Sequence, residues 1–169
     1  MKKFLALVQS KSFKRATFVL GIIFFLLTLL LAIDPTPFLK YGYLGVFAFN
    51  LFGPGTLLVP VLAQHMNVIL LAIATTLGMG INDSVSYIVG RNSITVIPRS
   101  NRLETIEGTI NHFGPIALFF WSLIPIPYDL IGFVAGYLGI SYKSFLLPTF
   151  LGKFIRFLLL GYGVVAIFK

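Results

Sequence analysis

Two of the five long apolar stretches in this chain are interrupted near their middle by proline and glycine, and this constrains the fold more than any other feature. The stretches are 16–33, 41–66, 67–90, 115–140 and 144–168. The second contains Gly53, Pro54 and Gly55, and the fourth contains Pro125 and Pro127. Proline removes a backbone donor and disfavours helix in the residue before it. Each interrupted stretch is therefore predicted to form two short helices joined by a bend.

The composition indicates that these stretches lie in a lipid bilayer. Hydrophobic residues make up 57% of the chain and charged residues only 11%, whereas soluble domains carry about 25% charged residues. The chain is predicted to be an all-α integral membrane protein. Non-helical backbone at membrane depth is tolerated only where protein or a watery cavity covers it. We therefore predict that 41–66 and 115–140 are re-entrant hairpins lining a cavity, with a proline-kinked spanning helix as the alternative for each.

The positions of the basic residues predict the orientation. Cytoplasmic loops carry an excess of lysine and arginine. Segment 1–15 is basic, and only Lys40 follows stretch 16–33 closely, so the N-terminus is predicted to be cytoplasmic and 16–33 to be a retained anchor helix. Linker 91–114 and the end of 115–140 are predicted to lie on the same side. The basic residues concerned are Lys2, Lys3, Lys11, Lys14, Arg15, Arg91, Arg99, Arg102 and Lys143.

A weak internal repeat relates the two halves of a single membrane domain, 16–169. Residues 54–58 resemble residues 127–131, and Leu77-Gly78 corresponds to Leu151-Gly152 when the alignment is shifted by one residue. Each half is then a hairpin (41–66 or 115–140) followed by a full helix (67–90 or 144–168). With the hairpins inserted from opposite faces, the halves form an inverted repeat, the arrangement by which many transporters place a site near the midplane.

Four charged residues lie within the apolar stretches, and two interpretations of them remain open. Lys153 and Arg156 are three residues apart and share a helix face. A charge at membrane depth costs about 2.5 kcal/mol or more unless it meets a partner or water. Asp83 and Asp129 with these cations could form a structural ion-pair network. Alternatively, the four residues form a site for an anion with proton coupling.

The second interpretation assigns separate roles to the charges. A helix restarting after Pro127 would direct free N–H groups and the positive end of its dipole toward a phosphate or carboxylate. Lys153 and Arg156 would add cationic donors, and Asp83 or Asp129 would take up a proton. Asp129 is also placed to cap the restarted helix. The predicted substrate-binding or coupling residues are Asp83, Asp129, Lys153, Arg156, Pro125, Pro127 and Thr56, and the predicted first bend is Gly53, Pro54 and Gly55.

Other classes of protein find no support in the sequence. There is no cysteine, and the two histidines, His65 and His112, lie far apart, so no metal site is predicted. No nucleophile, base and orienting residue occur together, and no glycine-rich nucleotide loop is present, so we predict neither an enzyme nor a cofactor. The net charge of +8 is spread over the ends of apolar stretches, which argues against nucleic acid. The predicted partners are membrane lipids, and protons or other ions. The sequence leaves open whether the chain forms a homo-oligomer.

The order of these features resembles a known family. After one anchor come a hairpin with a Pro-Gly turn, a helix with the pattern Asp-x-x-x-Tyr-x-x-Gly-Arg, a linker ending in His-Phe-Gly, a proline-containing hairpin and a Phe-rich helix. The pattern falls on Asp83, Tyr87, Gly90 and Arg91. From residue 41 onward the chain resembles the DedA or SNARE-associated (VTT-domain) membrane proteins, and its Gly-Lys-Phe-Ile-Arg-Phe stretch is similar to the small YqaA-like branch.

The resemblance implies a lipid-handling protein of a prokaryotic cell membrane. Members are linked to flipping or scrambling phospholipids and, in bacteria, to recycling polyprenyl-phosphate carriers, driven by ion gradients. This chain departs from the family at both bends. Thr56 stands where an acidic residue usually follows Pro-Gly, and Tyr128 and Asp129 stand where an arginine usually follows the second proline.

Three functions follow from the sequence and the resemblance together. The first is an ion-coupled transporter, flippase or scramblase for an anionic lipid headgroup, either a phospholipid or a polyprenyl phosphate. The second is a non-transporting membrane-organising or assembly protein whose buried charges hold the fold together. The third is a small-ion or drug exporter, which fits the chain length but fits poorly with two cations on one helix face.

Overall fold

The computed structural model describes residues 15, 19, 22–23, 26–31, 33–52, 55–92, 101–125 and 128–168. Within these ranges the fold is all-helical, as predicted, and contains no strand. A short 3₁₀ turn, Gly55–Leu57, lies between the first two helices. The helices are α1 (Thr36–Asn50), α2 (Val59–Leu62), α3 (Val68–Arg91), α4 (Asn101–Phe113), α5 (Ile116–Leu123), α6 (Asp129–Tyr137) and α7 (Tyr142–Phe168).

Two of these helices, α3 and α7, are long and apolar enough to cross a membrane. They contain 24 and 27 residues respectively, and they correspond to the predicted helices 67–90 and 144–168. Asn67 begins α3 as an N-cap, and its Oδ1 accepts hydrogen bonds from the backbone N–H of Ile69 (3.0 Å) and Leu70 (3.2 Å). Such a cap satisfies two of the backbone donors that a helix start leaves free.

The first interrupted stretch folds into two helical arms of unequal length. The longer arm, α1, begins before the predicted residue 41 and is kinked at Gly42, whose φ of 60° favours glycine. Asp34 accepts hydrogen bonds from the hydroxyl and the backbone N–H of Thr36 at this helix start, and these bonds lower the pKa of Asp34. The helix is interrupted after Asn50, and the shorter arm is α2.

The two ends of this stretch lie close together. The backbone N–H of Asn67 donates to Tyr43 Oη over 3.0 Å, so the chain returns to the level of Tyr43 before α3 begins. A hairpin requires this proximity. Its insertion from one face of a bilayer stays a prediction, and bend residues Gly53 and Pro54 lie outside the described residues.

The second interrupted stretch also forms two arms, α5 and α6. Helix α5 ends where Ile124 adopts extended backbone with ψ of 138°, and α6 begins at Asp129. Pro125 lies in the bend and is exposed, whereas Pro127 is outside the described residues. The amphipathic helix α4 precedes these arms, and its buried Ile106 and Ile110 join the same apolar core as the arms.

Helix α3 is the centre of the bundle, because it contacts α1, α6 and α7, while α5 packs on α7. The contact between α3 and α6 is very close. A Cβ atom added to Gly90 would lie 1.9 Å from the carbonyl oxygen of Phe133, and one added to Gly136 would lie 2.1 Å from that of Tyr87. Only glycine permits these two backbones to approach so closely.

The N-terminal segment is described at scattered positions. Those from 19 to 33 are helical, in agreement with a helix in this part of the chain, and Leu31 packs against the apolar core of the first half. Of the basic N-terminal segment only Arg15 is described, and it is exposed. The rest of the predicted anchor, 93–100 with Arg99, and residue 169 lie outside the described residues.

Candidate functional site

The buried charges meet where α7 crosses α3. Lys153 Nζ donates to Asp83 Oδ2, and each of the two side chains is about 4% exposed. Both residues lie in the middle of long apolar helices, so neither side chain is hydrated by bulk water. The sequence left open which acid pairs with which cation, and in the structure Asp83 pairs with Lys153. This ion pair ties the last helix to the central helix.

Tyr128, at the end of the second bend, supports this ion pair. Lys153 Nζ lies 4.7 Å from the centroid of the Tyr128 ring, within the range of a cation–π contact. Tyr128 Oη donates to the carbonyl oxygen of Leu118 (3.1 Å) and contacts Thr149 Oγ1 (2.8 Å). Tyr128 therefore joins α5, the start of α6 and α7. Tyr128 was not among the predicted site residues, although its position directly after Pro127 and before Asp129 was a usable signal.

Arg156, one turn further along α7, is held differently from Lys153. Its Nη1 donates to the carbonyl oxygen of Ile124 over 3.0 Å, and its guanidinium lies 4.7 Å from the ring centroid of Phe157. The residue is 7% exposed, and its Nε has no hydrogen-bond partner among the described residues. No carboxylate in the described ranges forms a salt bridge with it. Arg156 is thus a buried cation with an unused donor, placed at the start of the second bend.

Asp129 lies at the other end of the same bend. It is exposed, and its Oδ1 accepts a hydrogen bond from Ser86 Oγ over 3.2 Å. The prediction that it caps the restarted helix was wrong. Tyr128 occupies the cap position without a side-chain cap bond, and Asp129 is the first residue of α6. A carboxylate in the first turn still interacts favourably with the helix dipole.

The remaining predicted site residues lie at the bends. Thr56 belongs to the 3₁₀ turn of the first half, and its hydroxyl contacts Met79 Sδ at 3.9 Å. Gly55 begins that turn, and Pro125 is exposed in the second bend. The structure therefore brings Asp83, Lys153 and Arg156 together at one helix crossing. It places Thr56 against a neutral side chain of α3.

The Asp-x-x-x-Tyr-x-x-Gly-Arg pattern joins α3 to the end of the second interrupted stretch. Tyr87 Oη donates to the carbonyl oxygen of Ile140, and Arg91 Nη1 donates to the same oxygen over 3.2 Å. The Tyr87 ring also stacks on Phe145, with 4.7 Å between ring centroids. Together with the glycine contacts of α3 and α6, these bonds hold the second arm of this stretch against the central helix. Apart from its aspartate, the pattern has a structural role.

The internal repeat is visible in the helix contacts. In each half, a glycine of the long helix lies against the first arm of the interrupted stretch, where it meets a phenylalanine carbonyl oxygen and a polar residue three positions later. A Cβ atom at either glycine would lie 2.6 Å or less from its nearest neighbour. The contacts are Gly78 with Phe47 and Asn50, and Gly152 with Phe119 and Ser122.

Comparison with known proteins gives one match. A family model described as the VTT domain matches residues 53–165. The match begins at the first bend and extends through most of α7, so it includes all four charged residues discussed above. No curated protein and no solved structure matches this chain. Within the described ranges, no group of three or more His, Cys, Asp or Glu residues could hold a metal ion.

Proposed function

The chain belongs to the VTT-domain family, the domain of the DedA and SNARE-associated membrane proteins, and on this premise we propose that it is an ion-coupled transporter, flippase or scramblase. Its substrate is a lipid with an anionic headgroup, either a phospholipid or a polyprenyl phosphate. The protein acts without enzymatic chemistry in a prokaryotic cell membrane, with its N-terminus in the cytoplasm. The two interrupted stretches are re-entrant hairpins, and the bend of the second one borders the site.

The observation that carries this proposal is the state of Arg156. An unpaired cation in an apolar interior is costly, so such residues in membrane helices commonly mark a substrate or ion pathway. Arg156 uses one donor on the Ile124 carbonyl and keeps Nε without a partner in the described part of the chain. A guanidinium binds phosphate oxygens through parallel hydrogen bonds. Arg156 therefore suits a phosphate group that approaches through the second bend.

The ion pair beside Arg156 provides a means of coupling. In the absence of substrate, Lys153 is neutralised by Asp83. A phosphate bound at Arg156 lies one helical turn from Lys153 and competes with Asp83 for its ammonium group. The displaced carboxylate, left in a poorly hydrated site, gains from taking up a proton. Asp129, exposed at the same bend, is the second acid available to exchange protons with water.

One observation favours the second candidate, a membrane-organising protein with structural charges. Asp83 and Lys153 are almost completely buried, and Tyr128 covers them. Breaking such a pair is expected to destabilise a protein whatever its function. The two candidates therefore differ at Arg156 rather than at Lys153, because Arg156 is the cation that lacks a carboxylate.

The test is translocation by purified protein in liposomes. Fluorescent lipids with anionic and zwitterionic headgroups would be placed in one leaflet, with and without a pH gradient. We expect the native protein to move anionic headgroups fastest and Arg156→Gln to insert normally but lose this activity. Lys143→Gln, which removes an exposed cation from the first turn of α7, is the matched control and should keep it. Native protein that moves no lipid in any condition would support the membrane-organising function instead.

A further inference from the structure

A second polar cluster lies in the first half of the chain, where α1 contacts α3. Asn50 Oδ1 and Thr75 Oγ1 are buried there, and neither atom has a hydrogen-bond partner in the part of the chain that the structure describes. Asn50 is 2% exposed and Thr75 is 0% exposed. Buried polar atoms are almost always paired with protein, water or an ion. Both oxygens therefore lack the partner that a buried polar atom normally has.

The directions of the two helices bring these oxygens together. At one end of the contact, Tyr43 of α1 bonds to Asn67 at the start of α3. At the other end, Gly78 of α3 lies against Asn50, the last residue of α1. Both helices therefore run in the same direction, side by side, from the first contact to the second. A residue shortly before Gly78 in α3 lies beside the last turn of α1.

The amide of Asn50 is turned toward this place. Its Nδ2 donates to the carbonyl oxygen of Val46 over 2.7 Å, so the side chain points back along α1. Thr75 precedes Gly78 by three residues and shares its helix face. This spacing places Asn50 and Thr75 at about the same level of the contact between α1 and α3, near the Val46 carbonyl.

The second half of the repeat shows what occupies the matching place there. Tyr128 Oη stands between the carbonyl oxygen of Leu118 (3.1 Å) and Thr149 Oγ1 (2.8 Å), and bonds to both. The counterparts of these residues in the first half follow from the glycine contacts that relate the halves and from the alignment of 54–58 with 127–131. The residues at the matching positions for Leu118, Tyr128 and Thr149 are Val46, Gly55 and Thr75.

Glycine carries no phenol, so the first half has no side-chain hydroxyl at the place of Tyr128 Oη. The Asn50 amide N–H bonds to the matching Val46 carbonyl there, and the Asn50 amide oxygen and the Thr75 hydroxyl are left without partners among the described residues. Both groups are neutral, and no carboxylate of the described residues bonds to either. Neutral oxygens suit hard cations, and the absence of a carboxylate at this contact favours a single positive charge over two.

The position in the fold favours a cation as well. Asn50 is the last residue of α1, and a helix C-terminus carries the negative end of the helix dipole. Transporters of inverted-repeat architecture coordinate sodium at the C-terminal ends of interrupted helices. We propose that the Asn50 amide oxygen and the Thr75 hydroxyl are ligands of a small monovalent cation, sodium or potassium, bound between α1 and α3. As the source of the coupling ion this site rests on the proposed function, but cation binding is measurable without transport.

The experiment measures the melting temperature of the purified full chain in detergent. NaCl or KCl would be titrated against choline chloride at constant ionic strength. A ligand that binds only the folded state raises the melting temperature in a concentration-dependent way, so we expect a saturable rise with the alkali cation. Thr75→Val should raise the half-saturating concentration roughly ten-fold or more, because it removes a ligand oxygen.

Thr76→Val is the matched control for this experiment. Thr76 is also 0% exposed with an unpartnered hydroxyl. It lies two residues before Gly78 and therefore points to nearly the opposite side of α3. The change in chemistry is the same, but the hydroxyl does not face α1. We expect Thr76→Val to titrate like the native protein.

Two results would overturn the proposal. The first is that the native protein has equal melting temperatures in NaCl, KCl and choline chloride. The second is that Thr75→Val has the same half-saturating cation concentration as the native protein. Both would mean that the oxygens hold water only. If Thr75→Val does not fold, binding of radioactive sodium to the native protein and to Thr75→Ser is measured instead. The site is rejected if unlabelled NaCl and KCl do not compete with the bound radioactive sodium. Cation binding without lipid translocation would reject the transport function alone, whereas translocation by a protein that binds no cation would reject this site alone.

Discussion

The Lys153 ammonium donates to the Asp83 carboxylate across the contact of α7 with α3, and the two side chains are about 4% exposed. Arg156, on the same side of α7, has no such partner in the described ranges and bonds to the Ile124 carbonyl instead. The two cations that sequence spacing placed together thus differ in electrostatic state. One is neutralised within the protein, and the other retains its charge for a ligand. The first two predictions concern this difference.

Lys153→Met should destabilise the protein strongly. The substitution leaves the Asp83 carboxylate buried without its partner, and breaking a buried pair costs about 3–5 kcal/mol. Lys153→Met combined with Asp83→Asn should recover most of this loss, because the pair then disappears as a whole. The melting temperatures of the two single variants and the double variant in detergent test this. Additive effects of the two substitutions would show that the ion pair is not the source of the stability.

Arg156→Lys should fold as well as the native protein and translocate lipid more slowly. Lysine keeps the positive charge but has no planar fork, so it cannot donate parallel hydrogen bonds to phosphate oxygens. The initial rate of headgroup translocation in liposomes, compared with that of Arg156→Gln, measures the effect. We expect the native protein to have the highest rate, Arg156→Lys a lower rate and Arg156→Gln the lowest rate. Equal rates for all three proteins would remove Arg156 from the substrate site.

Asp129→Asn should insert and fold normally but lose proton-dependent translocation. Asparagine can still accept the hydrogen bond from Ser86, and no cap bond is lost because none is present. Asparagine cannot ionise, however, so the exchange of a proton at this bend is abolished. Translocation rates are measured over a range of pH, and Ser86→Ala is the control, because it removes the hydrogen bond but keeps the carboxylate. A native rate with native pH dependence would leave Asp129 without a role in coupling.

Gly136→Ala should destabilise the packing of α6 on α3. The added Cβ would lie 2.1 Å from the Tyr87 carbonyl oxygen, so the backbones must separate. Overpacking of this kind costs about 1–3 kcal/mol. Gly163→Ala is the control, since a Cβ at Gly163 in α7 meets no atom within 4 Å, and alanine there should be neutral or slightly stabilising. The melting temperatures of both variants test the prediction, and equal values would contradict the close contact.

Single cysteines placed next to Pro115 and Ile140 should be labelled from the same side of the membrane. A re-entrant hairpin starts and ends on one face, and the basic residues predict the cytoplasmic face. The chain has no native cysteine, so no background substitution is needed. A membrane-impermeant thiol reagent applied to oriented vesicles gives the answer. Labelling of the two positions from opposite faces would show that α5 and α6 together span the bilayer as a kinked helix.

Local chemistry made a large part of this fold predictable from the sequence. The length of the uninterrupted apolar stretches determines where α3 and α7 form. The cap bonds of Asn67 determine where α3 begins. Backbone interruption at the prolines and glycines set the two bends, because proline removes a donor within the same turn. The inward position of Lys153 and Arg156 followed from the cost of charge in lipid. Each of these properties depends on residues within a few positions of one another in the chain.

The tertiary structure alone decided which partner each charge has. Spacing along α7 could not distinguish Lys153 from Arg156, since both face inward and either acid could have reached either cation. The choice depends on the rotation and crossing of α3 and α7, which the close packing of glycines on neighbouring backbones sets over long sequence distances. The same packing placed Tyr128 beneath Lys153 and left Asp129 exposed. Contacts between distant helices are a property of the whole bundle, and no local pattern encodes them.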